Sequence, residues 1–132
     1  MSPEEIDELD WKKQDGLLPA VVQNVAGGRV LMLGYMNRAA LEATIEARRV
    51  TFWSRSKKRL WTKGETSGNS LALVSIETDC DDDALLVIAR PNGPTCHLGR
   101  SSCFAEAPSN FLAELDAFIR ERERDRPKGS YT

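Results

Sequence analysis

The sequence predicts an α+β domain with a mostly β core and peripheral helices. Three observations predict it. Short β-branched or apolar runs recur through the middle of the chain, and breaks rich in Gly, Asn and Pro separate them. Helical apolar spacing is confined to one stretch near the middle and one near the C-terminal end. The 132 residues, 41% of them hydrophobic, suffice for one core and are too few for a second.

The elements follow in order. Ser2-Pro3-Glu4-Glu5 supplies an N-cap, a proline at the first helical position and an acidic first turn, so a short helix runs to about Leu9. Residues 19–25 and 29–35 are strand-like runs split by Ala26-Gly27-Gly28, a hairpin signal. Asn37 caps a helix that carries Ala40, Leu41, Thr44 and Ile45 on one face. Residues 50–54, 71–78 and 84–89 read as strands, and the polar, glycine-bearing 64–69 as a loop. Pro91-Asn92-Gly93-Pro94 is a turn that continues neither neighbour. Ser109 caps a last helix with Phe111, Leu112, Leu115, Phe118 and Ile119 on its apolar stripe, followed by a charged run from Arg120. The division expected is 1–108 for the main domain and 109–132 for a C-terminal helix and tail.

With 18 basic and 20 acidic residues the net charge is −2, so global charge does not suggest a nucleic-acid binder. The distribution is uneven. Arg48, Arg49, Arg55, Lys57, Lys58, Arg59 and Lys63 fall in a stretch without an acid, and Asp79, Asp81, Asp82 and Asp83 follow. The longest apolar run, 84–89, is too short to cross a bilayer, and the acidic start lacks the features of a signal peptide. A cytoplasmic location and no membrane partner are expected. The three cysteines cannot all pair within one chain, and cytosolic thiols stay reduced, which turns attention to metal binding or catalysis.

Cys80, Cys96 and Cys103 are separated by fifteen and six intervening residues, unlike the paired spacing of a structural zinc ribbon. Three thiolates on a tetrahedral zinc leave one position open, as a catalytic site requires. Against this stands the ordinary role of a free cysteine as a small buried hydrophobe. The polar surroundings favour ligation: Cys80 lies among aspartates, and Cys96 and Cys103 flank His97, Gly99 and Arg100. In an extended strand Asp79, Asp81 and Asp83 would share one face, with Cys80 and Asp82 on the other. Such a carboxylate row suits Mg²⁺, although a solvated acidic turn is the plain alternative. An EF-hand is excluded, since its sixth position would be Ala84 and its twelfth Arg90. His97, the only histidine, is either a fourth ligand or a general acid–base; the strain of two adjacent ligands favours the second.

The segment from Phe52 to Asn69 combines tryptophans, cations, hydroxyls and glycines. Arg and Lys bind phosphate through charge-assisted hydrogen bonds, backbone amides line anion sites, and tryptophan stacks on bases. The same ingredients suit a single-stranded nucleic-acid surface, or a lysine-protected edge strand with its tryptophans in the core.

Taken together, these segments resemble phosphoribosyl-AMP cyclohydrolase of histidine biosynthesis. The resemblance runs from about Leu9 to Phe104. It rests on Asp15-Gly-Leu-Leu-Pro-Ala20, Val30-Leu-Met-Leu-Gly-Tyr-Met-Asn37, Thr51-Phe-Trp-Ser-Arg-Ser56, Leu60-Trp-Thr-Lys-Gly-Glu-Thr-Ser-Gly-Asn69, Asp79-Cys-Asp-Asp-Asp83, Gly93-Pro-Thr-Cys-His97 and Ser102-Cys-Phe104. It implies an intertwined homodimer whose curved sheet or barrel-like roll forms the core. Zinc would be held by Cys80, Cys96 and Cys103, with Cys80 from the partner subunit, and magnesium by Asp79, Asp81 and Asp83. The implied reaction is hydrolytic opening of the adenine ring of phosphoribosyl-AMP between N1 and C6 by zinc-activated water, with His97 moving protons. The substrate would meet Trp53, Ser54, Arg55, Ser56, Trp61, Lys63, Gly64, Glu65, Ser67 and Gly68, with Arg55 and Lys63 among the phosphate contacts. The deaminase signature HxE with PCxxC is absent. Arg48-Arg49 departs from the pattern, because many relatives carry glycine in that turn. Residues 111–132 resemble the opening of the phosphoribosyl-ATP pyrophosphohydrolase domain fused behind the cyclohydrolase in some bacteria. Two other classes remain: a zinc-stabilised single-stranded nucleic-acid module, and a nucleotide deaminase that would release ammonia.

Overall fold

The computed structural model describes residues 1–125. The elements are α1 (Pro3–Asp7), β1 (Leu18–Asn24), β2 (Val30–Met36), α2 (Arg38–Ala47), β3 (Thr51–Ser54), β4 (Arg59–Thr62), β5 (Leu71–Thr78), β6 (Leu85–Pro91) and α3 (Phe111–Asp125). The class is α+β, mostly strand. Local chemistry explains the ends of the elements. Ser2 Oγ accepts the Glu5 N–H, and the Glu5 carboxylate accepts the Ser2 N–H in return, so α1 starts with a reciprocal cap. Asn37 Oδ1 accepts the Ala40 N–H at 2.8 Å and opens α2. Helix α1 stops at Asp7, two residues short of the expected end, and Leu9 is buried in the core.

Four strands form a mixed sheet in the order β2-β1-β6-β5. The β1–β2 hairpin is antiparallel as expected, β1 runs parallel to β6, and β5 is antiparallel to β6. Leu18, Ala20 and Val22 of β1 and Leu85, Val87 and Ala89 of β6 are all buried, at every second position. They meet Leu31, Met36, Leu41, Val50, Phe52 and Leu71 in one core. Strands β3 and β4 form a separate antiparallel ribbon. The sequence reading gave β4 no strand of its own, because its Arg59 and Leu60 are exposed and no alternation of burial marks it.

The expected barrel-like roll is not formed. Strands β2 and β5 are the two edges of an open sheet, and the ribbon does not bridge them with continuous ladders. The segment leading into β3 meets β5 at an isolated bridge, Arg49 with Ala72. The ribbon meets β2 through side chains: the Phe52 ring lies where a Cβ on Gly34 would sit, 2.5 Å from the nearest ring carbon. Only glycine allows that approach. Buried Thr44 ties α2 to β3: its Oγ1 donates to the Ala40 carbonyl at 2.8 Å and accepts the Thr51 N–H at 2.9 Å.

Helix α3 begins at Phe111, so Asn110 and not Ser109 stands immediately before it; helix ends drawn from side-chain type alone err by a residue or two. Leu112, Leu115, Phe118 and Ile119 are exposed. The tail 128–132, which carried part of the resemblance to a pyrophosphohydrolase domain, lies outside the described residues.

Candidate active site

The site is built on the segment that follows β6. Cys96 sits in a tight turn closed by the Gly99 N–H on the Cys96 carbonyl (2.9 Å) and the Cys96 N–H on the Arg100 carbonyl (3.0 Å). Gly99 takes φ +86°, a conformation that suits glycine. Cys103 is placed by β2: its N–H donates to the Leu31 carbonyl at 2.8 Å, and the neighbouring Ser102 hydroxyl donates to the Val30 carbonyl at 2.6 Å. These anchors bring Cys103 into contact with Cys96.

The two thiols differ. The Leu98 N–H points at Cys96 Sγ from 3.5 Å and the Arg100 guanidinium from 3.9 Å. The backbone donor first, then Arg100, holds the Cys96 thiol below the ordinary cysteine range against the opposing effect of burial. Cys103 is pushed up, first by desolvation and then by the negative charge of Cys96, while Lys63 and Arg100 pull it down. The thiolate, which the Leu98 N–H and Arg100 favour at Cys96, is the metal-ligand form of cysteine.

A cleft of about 330 Å³ lies against this turn. Trp61, Lys63, Gly64, Glu65, Thr66, Ser67 and Asn69 line one side, with Pro94, Cys96, His97 and Gly99 on the other. Glycines let the chain pack closely around it. Gly64 has φ +87°, and a Cβ there would meet the Ser70 nitrogen at 2.5 Å; a Cβ on Gly93 would collide with Asn69 Oδ1. Lys63 is buried, with Nζ 5.9 Å from the centre of the Trp61 ring. Glu65 takes the Arg59 guanidinium on one oxygen (2.5 Å) and the Thr62 N–H on the other (3.2 Å), which lowers its pKa, the arginine contributing most.

The structure therefore joins Trp61, Lys63, Gly64, Glu65 and Ser67 with Cys96 and His97. Gly68 closes the loop, donating its N–H to the Gly64 carbonyl at 2.8 Å, without lining the cleft. Trp53 and Ser54 line a different groove of about 320 Å³, which shares only Trp61 with the first. Arg55 lies over the Tyr35 ring, 4.1 Å from its centre, and Ser56 Oγ is 3.4 Å from Ser54 Oγ in the β3–β4 turn. Arg100 was missed as a member of the site. Its position four residues after Cys96 in a glycine-bearing turn was the available signal.

Cys80 is exposed in the β5–β6 turn and does not join the other two thiols in this chain. Among the described residues no three His, Cys, Asp or Glu side chains are arranged to hold a metal ion. The single chain thus offers Cys96 and Cys103 as two thiol donors for a metal ion and lacks a third. The aspartates also differ from the extended row expected. Strand β5 ends at Thr78, and 79–84 is a turn closed by the Asp79 N–H on the Ala84 carbonyl, with Asp82 at φ +57°. Asp79 Oδ1 accepts the N–H groups of Asp83 and Ala84, and the Asp83 carboxylate pairs with Lys13 at 2.5 Å. The alternation of faces fails because a tight turn, not a strand, carries these residues. As folded, Asp79 is engaged by backbone N–H groups and Asp83 by Lys13, so the carboxylates do not stand together as one ligand set in this chain.

Comparison with known proteins gives the family. Residues 32–105, more than half of the chain, match the phosphoribosyl-AMP cyclohydrolase family. The chain belongs to that family. The matched stretch spans β2 to the Cys103 loop and holds the whole cleft. The chain is 67% identical over 127 residues to the histidine biosynthesis bifunctional protein HisIE of Xanthomonas campestris, covering 96% of this chain and 62% of the relative. It is 59% identical over 127 residues to the protein of the same name from Salmonella typhimurium, covering 95% and 63%. This cyclohydrolase-family chain thus spans less than two thirds of the length of these relatives. Among the described residues no helix is long and apolar enough to cross a membrane.

Proposed function

We propose that the chain is a phosphoribosyl-AMP cyclohydrolase that opens the adenine ring of phosphoribosyl-AMP in histidine biosynthesis. One observation supports it most: a single cleft holds Cys96 and His97 on one wall and the Lys63–Ser67 loop on the other. In the reaction, the oxygen of water goes to C6 and a proton goes to N1 as the N1–C6 bond breaks. The product is a formimino-carboxamide ribonucleotide.

Each wall has its task. Lys63 and the backbone of the glycine loop take an anionic group of the nucleotide, and Trp61 gives a face for a base. His97, on the wall beside Cys96, takes a proton from water and delivers one to N1. Cys96 and Cys103, with Cys80 of a second copy, would hold zinc, so that the homodimer completes the site. Bound there, zinc would lower the pKa of water to about 7. Magnesium at Asp79, Asp81 and Asp83 belongs to the same proposal, and binding it requires Lys13 to release Asp83. A cytoplasmic setting suits reduced thiols.

The test is Cys96→Ala. The variant is expected to lose zinc, measured by elemental analysis, and ring opening, followed by absorbance with a parallel assay for ammonia. A fully active variant with normal zinc content would refute the mechanism. Release of ammonia by the parent would turn the assignment to a deaminase.

A further inference from the structure

A second cleft, of about 240 Å³, lies along the Cys96–Cys103 segment, lined by Arg29, Arg100, Ser101, Ser102, Phe104 and Ala105. It carries two guanidinium groups, and no carboxylate is among its lining residues. Arg29 reaches in from the residue just before β2, and its Nη1 donates to Ser101 Oγ at 2.8 Å. Its Nε is buried and has no hydrogen-bond partner. A buried guanidinium N–H without an acceptor is costly, so Nε does not anchor the group, and Nη1 holds it to Ser101. The wall is rigid at Ser102, whose hydroxyl is committed to the Val30 carbonyl at 2.6 Å. Arg100 also touches Cys96 Sγ from 3.9 Å, so the cleft backs directly onto the thiol pair.

We propose that this cleft is a phosphate subsite for the substrate, with Arg29 and Arg100 as its charged donors. The proposal rests on the ring-opening reading above. Phosphoribosyl-AMP carries two phosphomonoesters, one on each ribose, so two anion subsites are required. The Lys63 loop supplies one. The bond that breaks joins C6 to N1, and N1 bears the phosphoribosyl group. That group's phosphate is the nearer of the two to the reacting atoms along the covalent chain, which assigns it to the cleft beside Cys96. Two guanidinium forks on one phosphate give planar, multi-dentate recognition that a single ammonium does not.

The test uses steady-state kinetics of the whole chain with phosphoribosyl-AMP, and AMP as a competing ligand that lacks the N1 sugar phosphate. Arg29→Met and Arg100→Met are each expected to raise KM about tenfold, the effect of losing one charge-assisted contact. The inhibition constant of AMP should stay at the parent value, and Arg29→Lys should recover part of the loss. Arg100 is exposed, so its variant carries the test if Arg29→Met fails to fold. An unchanged KM in an active enzyme overturns the subsite alone, as does an AMP constant that rises in step with KM. A parent chain that opens no ring overturns both this assignment and the reading beneath it.

Discussion

At Arg48 the backbone turns left-handed, with φ +59°, to end α2 and enter β3. A side chain there crowds the following carbonyl, whereas glycine does not. The chain thus adopts, with an arginine in place, a conformation that glycine takes freely. Arg48→Gly is therefore expected to raise stability by up to about 1 kcal/mol, since the native angle already suits glycine. Urea unfolding measures it, and a clear loss of stability would mean that the Arg48 side chain has a role of its own. The same scale explains the unequal cysteines. Sequence spacing could nominate Cys96 and Cys103, but only the Leu98 N–H and Arg100 around Cys96 make one thiol more acidic than the other.

Among the elements, the β4 strand and the loop after it form the wall that the substrate is proposed to meet. Glu65 holds this wall by accepting from Arg59 and from the Thr62 N–H. Its folded pKa is depressed below the ordinary 4.5, chiefly by Arg59. The sign follows: the contribution is fully present above the unfolded value and is lost as pH falls through the lower folded value. The Thr62 amide resonance should therefore titrate below pH 4.5 in the parent and stay flat in Glu65→Gln. Equal titration in both proteins would remove Glu65 as the clamp. The hairpin, caps and main strands were legible because each is encoded by neighbours in sequence: Ser2 with Glu5, Asn37 with Ala40, and the alternating Leu18, Ala20 and Val22. The aspartate turn was misread as extended because its shape comes from Asp79 bonding to Asp83 and Ala84, which period-two reasoning does not register.

For the whole molecule, the decisive feature is that the chain brings together two cysteines and leaves Cys80 on another turn. If a second copy completes the site, mixing inactive Cys80→Ala and Cys96→Ala proteins after dissociation should restore part of the ring-opening activity. Each mixed dimer would hold one intact set of thiols. No recovery after demonstrated subunit exchange would place the site elsewhere. The sequence by itself determined the family, the α+β class, the positions of most strands and the residue types that can hold a metal, because these depend on local pattern and on motif order. Tertiary structure alone decided that the sheet stays open, that Lys63 and His97 face one another's walls, and that Arg29 joins Arg100 across more than seventy residues of chain. Those outcomes depend on which strand edges pair and which loops pack, and contacts between distant residues leave no periodic trace in the chain.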